Sequence, residues 1–95
     1  MEVAFAVVYQ KIVVAEDIPN LSPTTKERVR RAIEEKLTTY PAVFGKPLRQ
    51  SLRGYRKLRV GEYRVVFRIT DTKVLVFAIL HRSVVYGTME KRVAA

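Results

Sequence analysis

YRKLRVGEYRVVFRI, residues 55–69, alternates apolar and basic side chains on either side of Gly61-Glu62. Its β-branched and aromatic residues predict two strands, Tyr55–Val60 and Tyr63–Ile69. The Gly-X pair between them suits the central positions of a type II′ hairpin turn. A two-residue turn sets the register: Val60 opposite Tyr63, Arg59 opposite Arg64, Leu58 opposite Val65, Lys57 opposite Val66. Because strand side chains alternate, Leu58, Val60, Tyr63, Val65 and Phe67 share one face. Lys57, Arg59, Arg64, Val66 and Arg68 share the other. The first face is a credible core face, and the second is cationic.

Working outward, Lys73–His81 follows an Asp71-Thr72 turn and reads as a third strand. Its continuous apolar run predicts a central or well-covered position. His81-Arg82 ends it, with Tyr86 in a turn or short helix beyond. Upstream, Phe44-Gly45-Lys46-Pro47 reads as loop. Val29, Ile33 and Leu37 recur at helical spacing and predict a helix over residues 24–39, stopped by Tyr40-Pro41. Ser22-Pro23 is one start signal, and the Thr24/Glu27 capping-box spacing is a second. Gln10–Leu21 is ambiguous. Ile12-Val13-Val14 would extend a strand, whereas Val14, Ile18 and Leu21 have helical spacing and Pro19 would end a short helix. Val3–Tyr9, VAFAVVY, reads as a buried strand. The order predicts an α+β fold, β-α-α-β-β-β, an antiparallel sheet with the N-terminal helices on one face. A chain of 95 residues accommodates one domain, 1–95.

Composition narrows the chemistry. There is no cysteine and one histidine, which excludes disulfides, thiol catalysis, Cys-ligated zinc and a two-histidine acid–base pair. The longest apolar run, Val74–Leu80, is far short of the ~20 residues of a membrane helix. The N-terminus opens with Glu2 and has no basic n-region, so no signal peptide is expected. A cytoplasmic protein is the expectation. The net charge of +9 is unevenly placed. Residues 1–45 carry six basic and six acidic groups, so the whole excess lies in the C-terminal half. Such segregation points to a polyanionic partner.

The hairpin's second face sharpens this. Arg59 opposite Arg64, with Lys57 and Arg68 alongside, places like charges in cross-strand contact, at a cost of about 0.2–1 kcal/mol each. An anion between them reverses that sign, because guanidinium groups bind phosphate bidentately. The bland reading is that these side chains splay apart to acidic partners, of which this half has Glu62, Asp71 and Glu90. His81 alone reads more readily as a packed residue than as a catalytic one. Tyr86 is either a core residue or a platform on which a base stacks. Tyr9, Tyr40 and Tyr55 read as packing, and Glu62 as solvent-exposed.

Residues 45–69, GKPLRQSLRGYRKLRVGEYRVVFRI, followed by HRSVVY (81–86), resemble the RelE/ParE superfamily of type II toxins. The segments that carry the resemblance are Leu52-Arg53-Gly54-Tyr55, Leu58-Arg59-Val60-Gly61-Glu62-Tyr63-Arg64, and His81-Arg82 with Tyr86. It implies a compact toxin, monomeric alone, neutralised by an acidic antitoxin in a hetero-oligomer. It also implies a metal- and cofactor-free endoribonuclease that cleaves mRNA in the ribosomal A site, by 2′-OH attack on the adjacent phosphate. By position, Arg64 matches the phosphate stabiliser, Arg82 a second cation, and Tyr86 the aromatic that orients a base. Lys57 and Arg59 fall near the nucleophile, and Lys57 and His81 are the candidate bases. Lys46, Arg49, Arg53, Arg56 and Arg68 complete the expected RNA- or phosphate-binding set. The alternatives are a ParE-like toxin that poisons DNA gyrase without nuclease chemistry, and a basic RNA-binding module without catalysis. The resemblance leaves codon preference and antitoxin identity open.

Overall fold

The computed structural model describes residues 4–94. The hairpin has the predicted register, Lys57↔Val66, Leu58↔Val65, Arg59↔Arg64 and Val60↔Tyr63, between β3 (Arg56–Val60) and β4 (Tyr63–Thr70). Gly61 takes φ +58° at the first turn position, where a glycine carries no steric penalty. β5 (Lys73–His81) has the predicted bounds and lies between β4 and β1 (Ala6–Tyr9), as its apolar run requires. A two-residue strand, β2 (Lys46–Pro47), which the sequence presents as loop, borders β3.

The fold is α+β, as expected, with one correction to the sheet. The sheet is mixed, in order β1-β5-β4-β3-β2, because β1 runs parallel to β5. The helices between β1 and β2 carry the chain across one face to the far edge, and this leaves β1 beside the last strand. Strand periodicity does not encode that neighbour. β1 is accordingly an edge strand with Val8 41% exposed, not the buried strand expected over residues 3–9, of which Val3 lies outside the described residues.

The N-terminal helices lie on one face, as expected, and a C-terminal helix covers the other. On one side α1 (Pro23–Ala32) continues as a π-helical turn, Ile33–Leu37. Val29, Ile33 and Leu37 pack there on Leu58, Val65 and Phe67. Ser22 caps α1 by accepting from the Thr25 N–H at 3.2 Å, so Ser22-Pro23 is the start signal that operates. The ambiguous segment is helical, a wide turn over Val13–Asp17 closed by the Ile18 N–H to the Val13 carbonyl at 2.9 Å. Its buried side is Val13, Asp17 and Leu21, one residue out of phase with the expected Val14, which is exposed. On the other face, α3 (Val85–Ala94) and the 3-10 turn Gln50–Leu52 bury Val66 and Ala78 beneath Leu52, Val85 and Met89. Val66, the one apolar residue in the cationic set, is the floor on which α3 docks. Among the described residues no helix is long and apolar enough to cross a membrane.

The short helix α2 (Pro41–Phe44) leads into Gly45, which has no room for a side chain. A Cβ there would lie 2.1 Å from Phe67 Cζ and 2.9 Å from the Pro41 carbonyl. Phe67 is fully buried and has nowhere to retreat. Gly45→Ala is expected to destabilise the protein by about 1–3 kcal/mol through overpacking. The urea midpoint reads this, and an unchanged midpoint would refute the close approach.

Candidate functional site

The β3–β4 hairpin, the end of β5 and the start of α3 converge on one face. Alternation places Lys57, Arg59 and Arg64 on the side covered by α3, the hairpin turn and the end of β5 bring Glu62 and Arg82 to its edge, and α3 itself supplies Tyr86. Arg64 is only 7% exposed, yet it forms no ion pair among the described residues. Its Nη1 donates to the carbonyls of Gly61 (2.9 Å) and Tyr63 (2.8 Å), which anchors the guanidinium at the turn. Arg59, opposite it, is exposed and also lacks an ion pair among the described residues. The two side chains therefore separate, with Arg64 meeting backbone carbonyls and not acids. A buried, uncompensated charge is unfavourable for the free protein and favours an anionic ligand.

Lys57 Nζ donates to the Tyr86 hydroxyl at 2.8 Å and lies 5.3 Å from the ring centroid. The contact joins strand to helix and presents an ammonium and a phenol to the same space. Arg82 Nε pairs with Glu62 Oε2 at 2.7 Å, and the Arg82 N–H donates to the Glu62 carbonyl. Glu62 is exposed, as expected, but it is also the counter-ion of Arg82. Both side chains are more than half exposed, so the pair is worth about 0–1 kcal/mol and opens readily for a stronger anion.

The remaining expected residues are distributed differently. His81 stands directly opposite Tyr63, so its ring lies on the core-helix side of the sheet, away from Lys57 and Tyr86. It packs edge-on against Tyr63, with centroids 5.5 Å apart. The Ser83 N–H donates to its Nδ1 at 3.1 Å, so the neutral ring carries its proton on Nε2. Arg56 shares the parity of Leu58 and also lies on the core side, where it donates to the Gly45 carbonyl at 2.9 Å and the Ala42 carbonyl at 3.3 Å. Arg68 has the right parity, but Val66 and the helix above it separate it from Arg64. Its guanidinium sits over Tyr55, 5.3 Å from the ring centroid. Lys46 faces the same side as Lys57, its partner across β2–β3. Arg49 and Arg53 are exposed around the 3-10 turn. Among the described residues no three acidic or histidine side chains gather as metal ligands.

One supporting pair has no local signature in the sequence. β1 ends opposite Val76, and beyond that point the edge of β5 is completed by side chains. Asp17 Oδ2 accepts from the Ile79 N–H at 2.9 Å, and Arg92 Nη1 donates to the Phe77 carbonyl at 2.8 Å. The two side chains form a bidentate ion pair of 2.7 and 2.8 Å, with Asp17 3% exposed. The Asp17 carboxylate raises the Arg92 guanidinium further above its ordinary value, against the opposing effect of burial. The pair ties α3, and with it Tyr86, to the first helical turn. Residues 17 and 92 meet through the tertiary fold alone.

The chain is similar to known proteins in sequence and in fold. Residues 8–86 match the family model of the ParE toxin of the type II toxin–antitoxin system parDE. The chain is 35% identical over 72 residues to toxin RelG of Mycobacterium tuberculosis, which spans 74% of this chain and 83% of that protein. It is similar to the crystal structure of the toxin–antitoxin complex RelBE2 from the same organism. There the TM-score is 0.78 and the identity 31%, over 85% of this chain and 94% of the other. The fold is also shared with a double arginine-to-alanine mutant of the Escherichia coli toxin RelE in the free state, at TM-score 0.63 and 22% identity, over 94% of this chain and 97% of that one.

Proposed function

The chain belongs to the RelE/ParE superfamily as a type II toxin, and on that premise we propose that it is a metal-independent, ribosome-dependent endoribonuclease that cleaves mRNA in the A site. The observation that supports this reading most directly is Arg64, a buried guanidinium with no acidic partner among the described residues. Its charge is held by backbone carbonyls and meets a full counter-charge when a phosphate is present.

In the proposed reaction the 2′-oxygen of the substrate loses its proton and attacks the adjacent phosphorus. A cyclic phosphate forms, and the 5′-oxygen leaves with a proton. Arg64 and Arg59 stabilise the negative charge that accumulates on the phosphoryl oxygens. Arg82 joins them after release from Glu62. The proton transfers fall to Lys57 and Tyr86, joined at 2.8 Å on this face, and not to His81 on the other. The Tyr86 ring offers a stacking surface for a base. The proposed partners are mRNA on the ribosome and an acidic antitoxin that covers the cationic face, all in the cytoplasm.

Programmed ribosomes incubated with the toxin are expected to yield new mRNA 3′ ends within the A-site codon. A second reading draws on the matched family model, that of ParE toxin, and on the commitment of Arg82 to Glu62. On that reading the chain poisons DNA gyrase and performs no cleavage of its own. Intact mRNA together with gyrase trapped in a DNA-cleaving complex would replace the first reading by the second. RNA binding with neither effect would leave a non-catalytic module.

A further inference from the structure

On the core-helix side of the hairpin a groove runs between α1 and β3, and it is lined by cations. Positions 28, 31, 32, 35 and 36 share one side of the helix, and Arg28, Arg31 and Lys36 stand there over Val60. Arg28 is the centre of the groove. A cleft of about 120 Å³ opens from it toward Thr25 and Glu62 at the hairpin tip, and one of about 250 Å³ toward Lys36. On the far side of α1, Arg30 is committed to Glu27 and Glu34. Arg28 forms no ion pair among the described residues, and Arg31 has only Glu27 at 3.6 Å. The acids of the groove are Glu35 and Glu62, and Glu62 is held by Arg82.

Arg28 also bears a particular relation to the site. A Cβ on Gly61 would lie 3.2 Å from its Nη2. Arg64 grips the carbonyl of the same glycine from the other side of the sheet. A single residue without a side chain therefore separates two guanidinium groups, one in the cationic face and one in the groove. At Gly61 itself the turn carries no side chain, and the charge of the neighbouring Glu62 is taken up by Arg82.

We infer that this groove is a second track for the RNA strand whose scissile phosphate lies at Arg64, with Arg28 as the residue that positions the flanking backbone. The inference rests on the RNA reading of the cationic face, and the chemistry recognised is the phosphodiester. It adds a binding surface and takes no part in bond cleavage.

The test uses single-stranded oligoribonucleotides with 2′-O-methyl sugars, which have no 2′-OH to attack and stay intact. A length of about three nucleotides reaches the Arg64 face only, and about ten reaches the groove. Binding is followed by fluorescence anisotropy across a salt series. With the longer strand, Arg28→Ala is expected to flatten the slope of log K against log salt by about 0.7, and Arg28→Ala with Lys36→Ala by about twice that, as one then two phosphate contacts are lost. Arg28→Lys keeps the slope, and the short strand is indifferent to all three variants. An unchanged slope for the double variant on the longer strand would overturn the track. Arg64→Ala is the control for the underlying reading, and it should flatten the slope with both strands. If the unaltered protein binds neither strand, the track is overturned, and if Arg64→Ala flattens neither slope and also leaves cleavage on programmed ribosomes unchanged, the RNA reading of the cationic face fails with it. Matched thermal unfolding curves of all variants exclude a folding defect.

Discussion

Arg64→Ala is expected to lower the rate of ribosomal mRNA cleavage by about 10²–10³-fold, the loss typical when one donor to a developing oxyanion is removed. The size follows from position. Arg64 is the buried cation of the face, anchored to the Gly61 and Tyr63 carbonyls, so its fork needs no reorganisation when the charge appears. Arg64→Lys is not expected to restore the rate, because an ammonium lacks the planar donor pair and does not reach both carbonyls and a phosphate. Arg64→Met separates function from folding. A buried charge replaced by an apolar side chain of similar length is often neutral or stabilising, so this variant should keep or raise the urea midpoint while losing cleavage. Single-turnover cleavage on programmed ribosomes reads the rate and equilibrium unfolding reads the stability. Full cleavage by Arg64→Met would remove Arg64 from the mechanism.

The largest effect on stability is expected far from that site. Asp17→Ala should destabilise the protein by about 3–5 kcal/mol, the usual consequence of removing one partner of a buried ion pair. The Arg92 guanidinium would lose both carboxylate contacts, and the Ile79 N–H would lose its acceptor. Domains are stable by only about 5–15 kcal/mol in total, so this is a large fraction. Asp17→Asn retains an acceptor for Ile79 without the charge and should cost less. Because Arg92 pins α3 to the edge of β5, Asp17→Ala also loosens Tyr86 from Lys57 and lowers activity, although residue 17 itself lies outside the cationic face. Urea unfolding, with near-ultraviolet circular dichroism for the tyrosines, measures both. A shift under 1 kcal/mol for Asp17→Ala would show that the pair is dispensable.

Much of the hairpin is legible from parity alone. Two-residue alternation and a Gly-X turn determine its register, so the assembly of Lys57, Arg59 and Arg64 on one face follows from local geometry. The same rule, applied to Arg56, places it with Leu58 on the core side. Charge alone groups it with the phosphate-binding residues, whereas in the structure it holds the carbonyls of Ala42 and Gly45. His81 is different. Its side of the sheet depends on the β4–β5 register, which includes an irregularity at Val66/Phe67 that hairpin arithmetic does not foresee. Val66 among the cations was a visible sign that something covers that face, although the residues did not say what.

The sequence by itself determined the hairpin, its turn, the third strand, the α1 repeat and the placement of the positive charge. Each of these is a short-range property, set by backbone alternation, helical period and turn stereochemistry. The tertiary structure alone decided that β1 lies parallel beside β5 and that α3 crosses the cationic face to bring Tyr86 to Lys57. It also joined Asp17 to Arg92 and set Arg28 and Arg64 on opposite sides of Gly61. Those contacts depend on which buried surfaces meet and which strand edges remain to be satisfied, and only the folded chain as a whole determines that.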